Sequence, residues 1–381
     1  MKPWLLLANP QNRRVTLFAE ALAEAGHPAP QVISWLEYLR DPRVLEAVPD
    51  DERLVRVDSF GEDFEVEKLL LARGGFPNAA TLVENRGEVI APRVAHEGFL
   101  EVLSQLGKLV AKRPRWRLLN ALDEISELFD KRRTSRRFRD AGIPVPDFLD
   151  EVPTEPGALL DAARARGWKQ LFVKPSMGSS ASGVLLVSLT ARTAEIRTSL
   201  EWDAPRWFNN LKLSHYRTKE AVHRALGFVL AQGAQVELAI PKATLDEAFF
   251  DLRVLCIAGE PRFIVVRQNR HPITNLHLGG WRGDVEKLRA AMQPAQWDAM
   301  LETCRRTAGL YRSLHVGLDV MFEPGFDRHR VIEANAFGDL LPNLTLDGKS
   351  VYRWEIDAAV AAQSAGTRSS KPAPKTLPSS R

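Results

Sequence analysis

Trp4 to Ala8 is an uninterrupted apolar run of strand length, the loop Asn9-Pro10-Gln11-Asn12 follows it, and Val15 to Ala25 repeats apolar residues at helical spacing up to Gly26. Gln31 to Trp35 returns to a strand pattern. This β-α-β opening predicts a layer of parallel strands over about the first 110 residues. Farther on, Asn120 to Ala141 carries Leu122, Ile125, Leu128 and Phe129 on one helical stripe, and 155–166 and Thr218 to Ala231 predict two more helices. Strand-like runs occupy Leu171 to Pro175, Val184 to Val187, Gln235 to Pro241, Phe249 to Ile257, Phe263 to Val266, 316–322 and 330–334. Between them, 201–217 reads as a polar segment holding Trp202, Trp207 and Tyr216. Apolar positions 297, 300, 301, 304, 308, 311 and 314 make a helical stripe from Trp297 to Leu314, a core face rather than a cofactor box. From Ser364 the chain turns to Ser, Pro, Lys and Thr without apolar period, which predicts a disordered tail over 364–381.

Composition sharpens this only slightly. At 381 residues and 45% hydrophobic content the chain can build two or three cored domains. The 52 basic and 48 acidic side chains leave a formal charge of +4, which admits an acidic partner without requiring nucleic acid. Cys256 and Cys304, the two cysteines, give no disulfide framework, so a reducing cytoplasm is expected. The first apolar run is too short for a secretory segment, and nothing approaches the roughly 20 apolar residues of a membrane span.

The candidate chemistry concentrates near the carboxyl end. Runs 316–322 and 330–334 flank Glu323-Pro324-Gly325-Phe326-Asp327-Arg328-His329, a hairpin loop by composition. Neighbouring strands would place Glu333 and Asn335 on one side with Asp319. Two carboxylates and an amide oxygen suit Mg²⁺, which binds oxygen at roughly 2.0–2.1 Å and keeps places for phosphates. The same residue types also serve local hydrogen bonds at strand ends. Between two further strands lies Ser176-Met177-Gly178-Ser179-Ser180-Ala181-Ser182-Gly183, nearly stripped of bulk, so that backbone N–H groups could approach an anion. Its spacing is not that of a P-loop, and Lys174 precedes it. A flexible hairpin would have the same composition.

In order, the pieces are Lys131 before a helix ending in Gly142-Ile143-Pro144-Val145-Pro146, Val173-Lys174-Pro175 with its Gly/Ser loop, and Glu237-Leu238-Ala239-Ile240. Asp251-Leu252-Arg253-Val254, Arg267-Gln268, Asn275 to Gly280, Asp319 and Glu333-Ala334-Asn335 follow. Together they resemble the ATP-grasp superfamily, most closely its branch of ribosomal-protein glutamate ligases and glutathione synthetases. The resemblance implies an α/β fold: an N-terminal α/β domain (1–115), a lid subdomain with its linker helix (116–240), a metal-binding subdomain (241–363), each subdomain α+β, and the tail (364–381). It implies ATP, with Lys131 and Lys174 on the phosphates, Gly178, Ser179, Ser180, Ser182 and Gly183 as the flap, and Glu237, Leu238, Ala239 and Ile240 as the adenine hinge. One or two Mg²⁺ ions, replaceable by Mn²⁺, would sit on Asp319, Glu333 and Asn335. Arg253 and Arg267 would neutralise the transferring phosphoryl group, and Asn275 would orient the acceptor.

The implied reaction joins a carboxylate to an amine through an acyl-phosphate, on an amino acid, peptide or protein, with no membrane or nucleic-acid partner expected. Two other outcomes stay open at this point: phosphoryl transfer without ligation, and non-catalytic binding of an acidic partner through the basic stretches 112–117 and 131–139. Asp246 and Glu247 are candidates for the ribose, and 201–217 departs from the resemblance.

Overall fold

The computed structural model describes residues 2–177 and 182–368, the side chains of His277 and of 363–368 excepted. Strands β1 (Trp4–Ala8), β2 (Gln31–Ser34), β3 (Arg53–Val57) and β4 (Trp116–Leu118) form a parallel sheet in the order β2-β1-β3-β4. Every residue of β1 and β3 is buried between helices, β1 as a continuous apolar run and β3 with Arg53 and Arg56 among its buried residues. The basic stretch 112–117 follows α5 (Pro92–Ala111). It turns at Pro114 and contributes the edge strand β4.

On one face of this sheet Trp4, Leu6 and Ala8 pack on α1 (Arg13–Glu24) and on the C-terminal helix α12 (Val351–Arg368). Helix α12 continues through 364–368, where the composition predicted disorder, and 369–381 lie outside the described residues. The other face, Leu5, Leu7, Val55 and Val57, shares one continuous core with α5, α6 (Leu122–Phe129) and α7 (Lys131–Asp140). The single helix expected over Asn120 to Ala141 is two. Asp130 adopts an extended conformation between them, and its side chain accepts from the N–H groups of Arg132 and Arg133, an N-cap that starts a new helix at Lys131.

A second, antiparallel sheet runs β8-β7-β6-β5-β9, built from β5 (Gln170–Pro175), β6 (Leu185–Leu189), β7 (Ala194–Asp203), β8 (Arg206–Tyr216) and β9 (Ala234–Leu238). Helices α8 (Pro156–Ala165) and α9 (Lys219–Ala231) cover one face through Leu159, Leu226 and Val229. The stretch 201–217, read as polar and irregular, is a β-ribbon. Its inward residues are aromatic, with Trp207 stacked on Phe228 at 5.2 Å, while its outward residues are polar, so the period of two was hidden among charged side chains. The ribbon's outer strand is tied to the first layer. The Asn209 N–H donates to the Gly87 carbonyl at 2.6 Å and the Val89 N–H to the Trp207 carbonyl at 2.9 Å. Gly87 has φ +82°, and a Cβ there would lie 2.9 Å from the Asn209 oxygen, so only glycine fits.

The third sheet runs β13-β12-β11-β14-β15, from β11 (Ala248–Ile257), β12 (Glu260–Asn269), β13 (Trp281–Gly283), β14 (His315–Phe322) and β15 (His329–Asn335), with the short β10 (Thr244–Leu245) beside β11. Phe250, Leu252, Val254, Leu318 and Val320 face α11 (Pro294–Ala308) and join the core of the first layer. The apolar stripe to Leu314 thus ends as helix at Ala308, Gly309 opening a turn that carries Tyr311 and Leu314 separately into the core. Cys256 and Cys304 are buried free thiols. Among the described residues no helix is long and apolar enough to cross a membrane.

Candidate active site

The hairpin near the carboxyl end sets the site. In the antiparallel pair β14–β15, Asp319 lies opposite Glu333 and Gly317 opposite Asn335, with a bulge after Asp319. Behind them a Cβ on Gly317 would lie 2.7 Å from the Gly338 Cα, so β14 and the segment after β15 touch backbone to backbone. Asp319, Glu333 and Asn335 line one cleft between the second and third sheets, together with five cations: Lys131, Lys174, Lys242, Arg253 and Arg267. Four carboxylates, Glu237, Asp251, Asp319 and Glu333, face those five cations, leaving a surplus of positive charge that favours a polyanion.

Asp319 is doubly held: Arg253 Nε donates to Oδ1 at 2.6 Å, and Arg267 Nη2 lies 3.0 Å from Oδ2. Burial alone would raise this carboxyl, but the two guanidiniums outweigh it and keep its pKa below the ordinary value. Asp251 is the hub beside it. It accepts from Arg267 Nε at 2.6 Å, from Lys242 Nζ at 3.2 Å and from the Thr274 hydroxyl, which in turn accepts from Lys242 at 2.9 Å. Its carboxyl is likewise depressed, burial being overcome by Arg267 and Lys242. Lys131 Nζ stands 3.3 Å from Glu333, and Lys174 pairs with Glu237. Lys174 differs from its buried neighbour Lys242: burial is offset at Lys174 by Glu237, whose charge raises it, whereas burial lowers Lys242. Two carboxylates and an amide on adjacent register positions are a hard-oxygen donor set, so the residues present fit Mg²⁺.

The other expected residues fall as follows. Ser182 lines the cleft, and Gly183 follows it at φ +74°, where a Cβ would press on the Pro175 ring at 2.8 Å. Gly178, Ser179 and Ser180 lie outside the described residues. Of the hinge, Glu237, Leu238 and Ile240 line the cleft and Ala239 is not among its lining residues. The Leu238 and Ala239 N–H groups donate to the Asp147 and Gln170 carbonyls. Asn275 lines the cleft from the loop after β12. Asp246 and Glu247 form the tight β10–β11 turn, both at positive φ, with Asp246 paired to Lys287 at 2.7 Å; neither lines the cleft.

Sequence reading passed over Lys242, Thr274 and the role of Asp251. A signal existed for two of them: Asp251 and Arg253 are two apart on one strand, and therefore share a face, and Lys242 directly follows the hinge. Thr274 carried none.

A second chamber of about 500 Å³ opens beyond the cleft. Arg253, Arg267, Asn275, Glu333 and Asn335 belong to both cavities, so they form a common wall. The far side is the first layer, Asn12, Arg14 and Ser59 to Glu62. Arg14 pairs with Asp339, which also takes Arg56, and Arg56 Nη1 reaches Glu355 at 2.7 Å. Glu355 Oε1 stands 3.1 Å from His315 Nδ1, and His315 Nε2 is 3.0 Å from the Ala336 carbonyl. Burial raises the Glu355 carboxyl and lowers the His315 imidazole, to about 4, and among the described residues neither Glu355 Oε1 nor His315 Nδ1 has a hydrogen-bond partner. His315, Asp339 and Glu355 are close enough to share a cation, but Arg56 already occupies both carboxylates.

No family model matches the sequence, and no curated protein does. Solved structures do match. The ATP-grasp ligase PsnB complexed with a phosphomimetic variant of minimal precursor, Mg and ADP is 14% identical, with TM-score 0.50 over 95% of this chain and 99% of that one. The macrocyclase MdnC bound with precursor peptide MdnA from Microcystis aeruginosa MRC is 12% identical, with TM-score 0.52 over 95% and 100%. The D-alanine–D-alanine ligase from Bacillus anthracis complexed with ATP is 11% identical, with TM-score 0.52 over 96% and 99%. The chain has the ATP-grasp fold.

Proposed function

We propose that this chain is an ATP-dependent carboxylate–amine ligase that works through an acyl-phosphate. The observation that carries the reading is the common wall: Arg253, Arg267, Glu333 and Asn335 face both a cation-rich cleft and a second chamber, so a phosphate held in one meets a carboxylate held in the other. The similar structures holding ADP with Mg, or ATP, support nucleotide in the cleft.

In this reading Lys131 and Lys174 exchange their carboxylate partners for phosphate oxygens, as compact flexible ammonium groups do. Asp319, Glu333 and Asn335 would hold Mg²⁺, which supplies charge neutralisation on the β- and γ-phosphates. Arg267, fixed by Asp251 and Asp319, presents its guanidinium to the transferring phosphoryl group without having to reorganise. Arg253 does the same from the neighbouring strand. The carboxylate oxygen attacks the γ-phosphorus, the bridging P–O bond breaks and ADP leaves. An amine then attacks the acyl carbon and expels phosphate, a far better leaving group than oxide, while its surplus proton passes to solvent or phosphate. Asn275 stands where it can orient the incoming group.

The test is ADP release over a panel of carboxylates and amines, with product masses, for the wild type and for Asp319→Ala and Glu333→Ala. Turnover is expected to fall by about a hundred- to a thousandfold in either variant, as for other preorganised charge sites. Survival of turnover in both sinks the proposed metal role. A phosphorylated product that never condenses with an amine identifies a kinase instead.

A further inference from the structure

The loop 270–280 between β12 and β13 reaches the cleft with Ile273, Thr274 and Asn275. Its base is closed: Asn269 Nδ2 donates to the Leu278 carbonyl at 3.1 Å, and the Leu278 N–H to the Asn275 carbonyl at 3.0 Å. Its apolar side chains are supported from elsewhere. Ile273 and Leu278 are buried in a cluster completed by Phe172 of β5, Val184 just before β6 and Leu213 of β8. The cluster joins the loop to the layer across the cleft, and its apolar surface returns to water when those layers part. The neighbouring side chain serves the third sheet. The buried Thr274 hydroxyl donates to Asp251 Oδ2 and accepts from Lys242 Nζ at 2.9 Å, while Asp251 Oδ1 accepts from Arg267 Nε at 2.6 Å. An aspartate χ2 torsion is soft, so the plane of this carboxylate is set by what its two oxygens bind. Lys242 also reaches Oδ2, at 3.2 Å, but as a flexible ammonium it sets little direction.

We propose that Thr274 is a positioning residue for phosphoryl transfer: packing of the second sheet on Ile273 and Leu278 seats the loop, and the Thr274 hydroxyl passes that seating through Asp251 to Arg267. This inference rests on the proposed function in one respect, that Arg267 is the guanidinium meeting the transferring phosphoryl group. With the layers apart the cleft can hold nucleotide while Arg267 is loosely aimed. Covering the loop completes the site.

The test needs no knowledge of the acceptor. Aluminium fluoride beside Mg-ADP stands in for the phosphoryl group in flight, so the gain in Mg-ADP affinity on adding it, read by calorimetry, reports how well Arg267 is placed. The wild type is expected to gain at least about a hundredfold, as transition-state mimics do. Thr274→Val, close in shape but lacking the hydroxyl, should cut that gain about tenfold and leave the Kd for Mg-ADP alone within about twofold. Thr274→Ser, which keeps the hydroxyl, should restore the gain. Leu213→Ala, on the other side of the cluster, should cut it as well, and the double variant should lose about as much as the larger single loss, because both act along one path. An unchanged gain in Thr274→Val or Leu213→Ala, a serine variant that restores nothing, or losses that multiply in the double variant overturns the inference, while the wild-type gain keeps the phosphoryl-transfer reading standing. Should Thr274→Val not fold, Leu213→Ala and Thr274→Ser decide by the same readout. A wild type that binds no Mg-ADP, or binds it without gain from the fluoride, removes both.

Discussion

Asp251 shows how much of the candidate chemistry is held by a residue that need not touch substrate. Its carboxylate accepts from Arg267, Lys242 and Thr274 in a buried setting, so replacing it by Asn leaves two cations underground with little compensation. Breaking a buried pair from one side costs about 3–5 kcal/mol. Asp251→Asn is therefore expected to lose that much stability in urea unfolding. Surviving folded protein should show a lower kcat, because Arg267 keeps only its contact with Asp319. The oxygen donors were legible because strand alternation alone brings Asp319, Glu333 and Asn335 together. Arg267 was legible as a charge but not as a member of a network. Its partner Asp251 lies 16 residues away and meets it only through the register of two strands, and Thr274 arrives from an irregular loop that no period marks.

His96 is a second case at this scale. It lies buried against Phe99 and Phe129, its Nε2 has no hydrogen-bond partner, and burial pushes its pKa down to about 4. An unfolded chain takes up that proton near pH 6.5, so the contribution of this group falls as the pH drops from 6.5 toward 4. His96→Leu should shrink the stability lost between pH 7 and pH 4.5 by about 2 kcal/mol, read by denaturant unfolding at both values.

Among elements, the hairpin β14–β15 matters through what lies behind it. Gly338 meets Gly317 so closely that a Cβ would stand 2.6 Å from the Gly317 Cα and 3.3 Å from Arg253. Gly338→Ala is expected to cost about 1–3 kcal/mol by overpacking and to shift the strand that carries Asp319. Its signature is weaker Mg-ATP binding by calorimetry alongside the lower melting temperature. Elements with a clean period were readable before any coordinates: β1, the α1 stripe and the two strands of this hairpin. The ribbon β7–β8 was not, since its outward positions are charged and its inward ones are spread over 23 residues with only a turn at Ala204-Pro205 to divide them. The division at Asp130 was hidden as well, because the apolar stripe runs through it and the break is made by one side-chain cap.

At the scale of the molecule, three sheets are joined by two different means. The first and third share an apolar core and the buried charges around Asp339, so Arg56→Leu should destabilise both together in one cooperative transition, by about 3–5 kcal/mol. A separate unfolding of the first layer in that variant would contradict this. The second sheet reaches the first through the edge of its outer ribbon at Gly87 and Val89. Helix α12, from the carboxyl-terminal part of the chain, packs on the first sheet and on α1, so that layer is closed by residues from both parts of the sequence.

Under the proposed function, that pinned ribbon bears on how a nucleotide would enter the cleft. A sheet fastened along its far rim, as well as where its chain departs, is held at both edges, as a bow is at its tips. Admission and release would then be governed by the bending of two long strands rather than by a pivot, and whatever loosens the fastening at Gly87 would alter the speed of exchange before it altered the chemistry.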